Sequence, residues 1–281
     1  MAKMTGGEAL ARTLKAAGVE YIFGIAVGSQ APFTLAAMRL GMRIVTVRDE
    51  KGAALMATAY SKISGKPGIC LASSPGAAHL ALGMYEAFNA SNAIVALTAD
   101  ASVAGMWRPG STYMDQQVLF QPITKWTVRA EALATLPNII RRALGVATTG
   151  NPGPVAVIVS NALFAAEGDF DIPPEAERAQ HPAFRVVPGA ASVEQAAQVL
   201  LAAQRPAIIA GGGVMLSQAF QDLVELARPR PRGLGGIGRG RGDDEVGRAG
   251  AGRRLARRDA ARRQDDGGGT RGNAEHPRSS L

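Results

Sequence analysis

The sequence predicts an α/β protein whose parallel sheet is flanked by helices, and three observations carry that prediction. From residue 1 to 165, short apolar segments alternate with longer helical patterns, the order that builds βαβ units. Ala93-Ile94-Val95-Ala96-Leu97-Thr98 is apolar with almost no interruption, as in a strand buried on both faces. Two strands each run into a short turn that opens a small-residue helix, at Asp49-Glu50-Lys51-Gly52 and at Ser73-Ser74-Pro75-Gly76-Ala77. Open α/β sheets bind ligands beyond such carboxyl ends of strands.

Thr5 to Ala17 reads as a helix with Leu10 and Leu14 on one face. Tyr21–Ile25 reads as a strand and Gln30–Arg39 as a helix. Strand 43–48 leads to helix 52–63, and strand 68–72 to helix 77–90. The buried run at 93–98 comes next, then helix 136–148 and a closing strand, Val155–Val159. Residues 166–190 hold Asp169, Asp171, Pro173, Pro174, Pro182 and Pro188 with little periodicity, and read as a linker. Ser192 is placed to N-cap a helix over 193–204. Strand 206–210, Gly211-Gly212-Gly213 and helix 217–227 would begin a second βα domain spanning 191–228.

Periodicity stops at Arg228. Residues 229–281 contain thirteen Gly and almost no β-branched or aromatic side chains, so they cannot offset their ordering entropy and are expected to be disordered. They also hold thirteen Arg, no Lys and seven acidic residues, a net +6. The other 228 residues therefore carry +2 of the +8 total. The basic balance belongs to the tail and says little about the body. Without repeats or interleaved aromatics, the tail makes a poor nucleic-acid arm. No apolar run is long enough to span a bilayer and no charged-then-apolar leader precedes Gly6, so the cytoplasm is the expected location. A single cysteine, Cys70, excludes an internal disulfide framework and reads as a small buried hydrophobe within a strand.

Val47-Arg48-Asp49-Glu50-Lys51-Gly52-Ala53-Ala54 and Ser73-Ser74-Pro75-Gly76-Ala77 together resemble the pyrimidine-binding domain of thiamine-diphosphate enzymes of the acetolactate synthase group. There the patterns run roughly V-R-H-E-x-G-A-A and T-S-G-P-G-A. Gly18–Ile25 resembles that group's first strand, Gln121-Pro122-Ile123-Thr124-Lys125-Trp126 its R-P-I-T-K-W segment, and Gly150–Val155 its G-x-P-G-P-V approach to the domain's last strand. Arg205–Gly213 resembles the start of the central domain. The resemblance covers roughly residues 4–228, and an ordered series of this kind is far more specific than one glycine-rich turn.

The resemblance implies thiamine diphosphate as cofactor and a pyrimidine-binding domain at 1–165. Glu50 would be the catalytic acid that hydrogen-bonds N1′ of the aminopyrimidine and drives it to the tautomer able to take the C2 proton. The cofactor supplies the hard chemistry. Without the family pattern, Glu50 reads simply as an acid favouring a helix N-terminus through the macrodipole. Ser73, Ser74, Pro75, Gly76 and Ala77 would let backbone approach the pyrimidine; their plain reading is a strand-to-helix turn. Ala26, Val27 and Gly28 would line the substrate side with Asp115 and Gln116.

Several positions depart from the pattern. Ser74 stands where the family has Gly, a change tolerated only at negative φ. His79, where Asn is common, reads as a packing or surface histidine. Ala26 and Val27 replace Pro and Gly. Thr112 and Tyr113 replace the Gln and Glu of A-F-Q-E-x-D-Q, which leaves FAD without support. The family's diphosphate and magnesium are held through a G-D-G…N signature, and Gly242-Asp243-Asp244 lacks that context, so no metal ligand is assigned.

The resulting expectation is an N-terminal part of a decarboxylating synthase or lyase acting on a small 2-oxo acid, forming a homodimer or homotetramer and inactive alone. A rival is a non-catalytic oligomerisation or regulatory subunit that kept the pyrimidine domain. A dinucleotide-binding protein using Gly211-Gly212-Gly213 is a weaker one, since the G-x-G-x-x-G spacing is missing. The tail also fits a shifted reading frame. With GC-rich codons, Asp243-Asp244-Glu245 shifted by one base reads Thr-Thr-Lys, similar to a V-A-T-T-x-x-x-K/G-G stretch of the family's central domain.

Overall fold

The computed structural model describes residues 2–101, 105, 113–172 and 186–228. Thr112, most of the linker and the tail 229–281 lie outside the described residues. The chain opens with strand β1 (Ala2–Thr5) and helix α1 (Gly6–Ala16), whose N-cap is Thr5: its hydroxyl accepts from Glu8 N at 3.1 Å. Then come β2 (Tyr21–Gly24), α2 (Ala31–Arg39), β3 (Arg43–Thr46), α3 (Glu50–Ser64), β4 (Gly68–Ala72), α4 (Ser74–Asn89) and β5 (Ile94–Asp100). Next are α5 (Gln116–Phe120), β6 (Trp126–Ala130), α6 (Leu136–Thr148), β7 (Val155–Ser160), α7 (Asn161–Ala165) and β8 (Glu167–Phe170).

Six strands form one sheet in the order β3-β2-β4-β5-β7-β6, every neighbouring pair parallel. The α/β prediction with helices on both faces is what forms. Alternate residues of the central strands feed two cores. Ile69, Leu71, Val95, Leu97, Val155 and Val157 pack under α1, α2 and α6. Cys70, Ala72, Ala96 and Ala156 face α3 and α4. The second set is small, so α3 and α4 lie close to the sheet and to each other. A Cβ at Gly83 would stand 2.4 Å from that of Ala54. Cys70 is fully buried, and burial pushes its thiol up to about 12, as expected of a packing residue.

Several expectations are corrected. The linker does not begin at 166: β8 pairs antiparallel with β1, Ala2 opposite Phe170 and Thr5 opposite Glu167, which fastens the end of the domain to its start. Trp126–Ala130, which the motif over 121–126 does not mark as a strand, forms an edge strand of the sheet. In the segment after the linker, α8 (Ala190–Ala202) is capped by Gly189, with Ser192 inside the helix rather than at its N-cap. Residues 206–210 are irregular, not a strand, and α9 (Gly212–Leu216) and α10 (Phe220–Ala227) replace one helix. A strand needs a neighbour to complete its hydrogen-bond ladder, and the described part of this segment holds no other strand. Ile209 is 99% exposed there.

Candidate active site

Parallel pairing brings the carboxyl ends of β2, β3, β4 and β5 to one edge of the sheet, and the candidate residues sit on the loops and helix starts just beyond those ends. Beyond β3, Asp49 is the N-cap of α3; its Oδ1 accepts from Lys51 N at 2.8 Å. Helix α3 therefore begins at Glu50, two residues before the expected start. The position suits an acid, as the macrodipole reading holds. What separates Glu50 from its neighbour is enclosure: its side chain is 12% exposed, against 47% for Asp49.

The enclosing wall is the first turn of α4. Ser73 caps it with extended backbone, Pro75 occupies the first turn, and Ala77 N donates to Ser73 O at 2.9 Å. Ser74 is helical, and no residue from Ser73 to Ala77 has positive φ, so serine meets no backbone penalty where the family has glycine. Gly76 is the point of contact. A Cβ there would lie 2.3 Å from Glu50 Oε1, so only glycine admits the carboxylate at this distance. The other oxygen, Oε2, lies 3.3 Å from Nδ1 of His79, one turn along α4. His79 is indeed largely on the surface, as read from sequence, but its contact with Glu50 was missed. Its three-residue spacing from Gly76 puts both on one helix face and was the available signal. Asp49, Glu50 and His79 offer ligand atoms within 4.8 Å of one another. We assign no ion to the group.

The loop after β2 carries Ala26, exposed, Val27, half-buried, and Gly28, exposed. Gln30, unrecognised in the sequence, ties this loop to the turn. Buried within the fold, it donates through Nε2 to Ala72 O at 2.9 Å and accepts from Val27 N at 3.3 Å. Asp115 caps α5, accepting from Val118 N at 3.1 Å. Gln116 is fully buried; its Oε1 accepts from Thr98 Oγ1 at 2.5 Å, and its Nε2 reaches Ala99 O at 3.4 Å and Ser74 Oγ at 3.5 Å. Sequence reasoning also missed Asp100 and Arg129. The Asp100 carboxylate, fully buried, meets Arg129 Nη1 at 2.8 Å. Tyr113 lies with its ring 6.0 Å from the Arg129 guanidinium carbon. Glu50, the Ser73–Ala77 turn and the loop at 26–28 thus share one edge, and Gln116 reaches the turn from below.

An enclosed carboxylate with one oxygen against a bare Cα and the other at the rim fits the aminopyrimidine end of thiamine diphosphate. Residues 4–119 match the family described as thiamine pyrophosphate enzyme, N-terminal TPP binding domain. The chain belongs to the thiamine pyrophosphate enzymes, in their acetolactate synthase-like group. It is 32% identical over 227 residues to a probable acetolactate synthase large subunit of Methanocaldococcus jannaschii, covering 80% of this chain and 38% of that protein. It is 34% identical over 229 residues to the acetolactate synthase isozyme 2 large subunit of Escherichia coli, covering 79% and 40%. A probable 2-ketoarginine decarboxylase of Pseudomonas aeruginosa is 33% identical over 241 residues, covering 84% and 43%. The chain thus spans about two-fifths of the length of these relatives. Among the described residues, no helix is long and apolar enough to cross a membrane.

Proposed function

We propose that this chain supplies the pyrimidine side of the active site of a cytosolic thiamine-diphosphate enzyme that decarboxylates a small 2-oxo acid, as a synthase or a lyase. The observation that carries the reading is the Glu50–Gly76 contact at the carboxyl edge of the parallel sheet. When bound, thiamine diphosphate, with magnesium on its diphosphate, would supply the nucleophilic carbon and the electron sink that decarboxylation of a 2-oxo acid needs. Glu50 would share a proton with the ring nitrogen N1′. The backbone of Ser73–Ala77 would form a wall beside the ring. Ala26, Val27 and Gly28 border the substrate side, and Gln116 supports the turn. FAD forms no part of the proposal.

A second copy of the chain is the proposed partner. Helices α3 and α4, which begin at the site, present Met56, Ile63, Leu82, Tyr85 and Phe88 to the outside. Ile63 is 87% exposed. An apolar face running along two adjacent helices supports a homodimer that buries it.

The test joins residues 1–228 to the remaining length of a relative and tracks deuterium exchange at cofactor C2 by NMR after acid quench. Glu50→Gln keeps the shape and loses the proton, and should slow exchange by about 10²–10⁴-fold. Exchange within about threefold of the parent would remove Glu50 from the chemistry. A folded parent chimaera with no exchange at all would favour the non-catalytic subunit.

A further inference from the structure

Helix α4 must place Gly76 against Glu50 to within a few tenths of an ångström, because a carboxylate oxygen fills the space of the missing Cβ. Backbone capping alone does not explain what holds the turn there. Ser74, two residues before Gly76, is only 4% exposed, and its hydroxyl is turned into the sheet. It donates to Asp100 Oδ1 at 2.9 Å, from the first turn of α4 to the last residue of β5. Asp100 cannot move with the helix if the helix shifts. Arg129, on the edge strand β6, holds its other oxygen at 2.8 Å, and Ala101 N donates to Oδ1 at 2.8 Å. Arg129 is held in turn by Glu131 at 2.5 Å. Gln116 approaches the same hydroxyl from α5, itself fixed by Thr98 and the carbonyl of Ala99.

We propose that Ser74 is a positioning residue for Glu50: through its bond to Asp100 it locks the first turn of α4 to the sheet, and so sets where Gly76 meets the carboxylate. The proposal rests on Glu50 being the group that serves the cofactor, and it assigns Ser74, Asp100 and Arg129 a role no sequence motif indicated. The bond is buried and charge-assisted, the kind that fixes geometry most firmly. Its acceptor is paired with Arg129 through the other oxygen. Side chains in such a supporting layer act by restricting the groups that touch the ligand.

The experiment uses the full chain with glutamate carboxyls labelled with 13C, the Glu50 signal being assigned by its loss in Glu50→Gln. Ser74→Ala should shift or broaden that signal and speed exchange of the Ala77 amide about fivefold, as expected for one lost hydrogen bond. The matched control is Thr13→Val, which removes a hydroxyl as deeply buried, bonded to Ala9 O at 2.7 Å, on the other face of the sheet. It should lower the melting temperature as much and leave the Glu50 signal in place. If Ser74 acts through Asp100, adding Asp100→Asn to Ser74→Ala should move the Glu50 signal no further. Should Ser74→Ala not fold, Ser74→Cys keeps the volume with a weaker donor and should give the same displacement, reduced in size. An unmoved Glu50 signal in Ser74→Ala, or an equal shift in Thr13→Val, overturns the proposal. No cofactor enters this readout, so it fails or succeeds independently of the C2-exchange assay on Glu50→Gln.

Discussion

Gly76→Ala separates the proposed site from the fold more cleanly than any other single change. The new methyl would sit 2.3 Å from Glu50 Oε1, 2.7 Å from its Cδ and 3.1 Å from its Cγ. Ordinary van der Waals contact begins at 3.4 Å. The carboxylate must therefore retreat by about 1 Å, and it can, because it is the far end of a flexible side chain in front of a solvent-accessible rim. The helix loses nothing: alanine is favoured over glycine by up to about 1 kcal/mol within a helix. The fold should accordingly keep its melting temperature or gain slightly. Catalytic geometry should not survive so well, since a displacement of about 1 Å costs on the order of 10²-fold, or about 2.7 kcal/mol of barrier. The assay pairs a thermal melt of the chain with C2 exchange in the chimaera. Full exchange in a normally folded Gly76→Ala protein would show that the close contact with Glu50 does not matter to the chemistry. A collapse of stability would show that Gly76 serves packing instead.

The opposite balance is expected at Gly83→Ala, where the methyl would meet the Ala54 Cβ at 2.4 Å and the Leu55 backbone N at 3.1 Å; overpacking between α3 and α4 should cost about 1–3 kcal/mol in denaturant unfolding. Lys125→Met removes donors to Val146 O at 2.5 Å and Thr149 O at 2.7 Å, at the C-terminus of α6, and should cost about 1 kcal/mol because the site is largely solvated. Cys70 makes the fold alkali-sensitive. Its thiol ionises near 9 in an unfolded chain but only at about 12 when buried, so between those values the folded state holds the extra proton. Stability is fully present below pH 9 and falls as pH rises toward 12, by on the order of 4 kcal/mol, an effect Cys70→Ala should remove from the pH profile of unfolding. Ile63→Glu with Phe88→Glu should shift the chain toward monomer in sedimentation equilibrium if a second copy covers that face.

The fold was legible wherever the signal was local. Helix and strand periodicities placed most of the body's elements within a few residues, and strand 93–98 was recognisable from its unbroken apolar character. Glu50 and Gly76 were legible for a different reason, since each lies inside a short motif whose residues act near their own place in the chain. Strand β6 was legible too, in the alternation of Trp126-Thr127-Val128-Arg129-Ala130, whose Trp126, Val128 and Ala130 all join one core.

What escaped the sequence was partnership. Residues 206–210 have as good an apolar pattern as 93–98, yet only the second has strands on both sides, β4 and β7, to complete its ladder. Strand β8 looked like linker because its pattern, Glu-Gly-Asp-Phe, is polar; what makes it a strand is β1, more than 160 residues earlier in the chain. The same holds for the site. The bond from Ser74 to Asp100 spans 26 residues and that from Gln116 to Ser74 spans 42. Taken alone, each of these residues is an ordinary polar side chain in a turn or at a strand end. Only when the parallel order of β4, β5 and β6 is known does one see that these side chains must meet beneath α4. A buried carboxylate at a strand end has to find a cation and donors there, or remain expensively unpaired. That requirement links a serine in the cofactor turn to an arginine on an edge strand, and it makes the position of Glu50 depend on Asp100 and Arg129, beneath the turn.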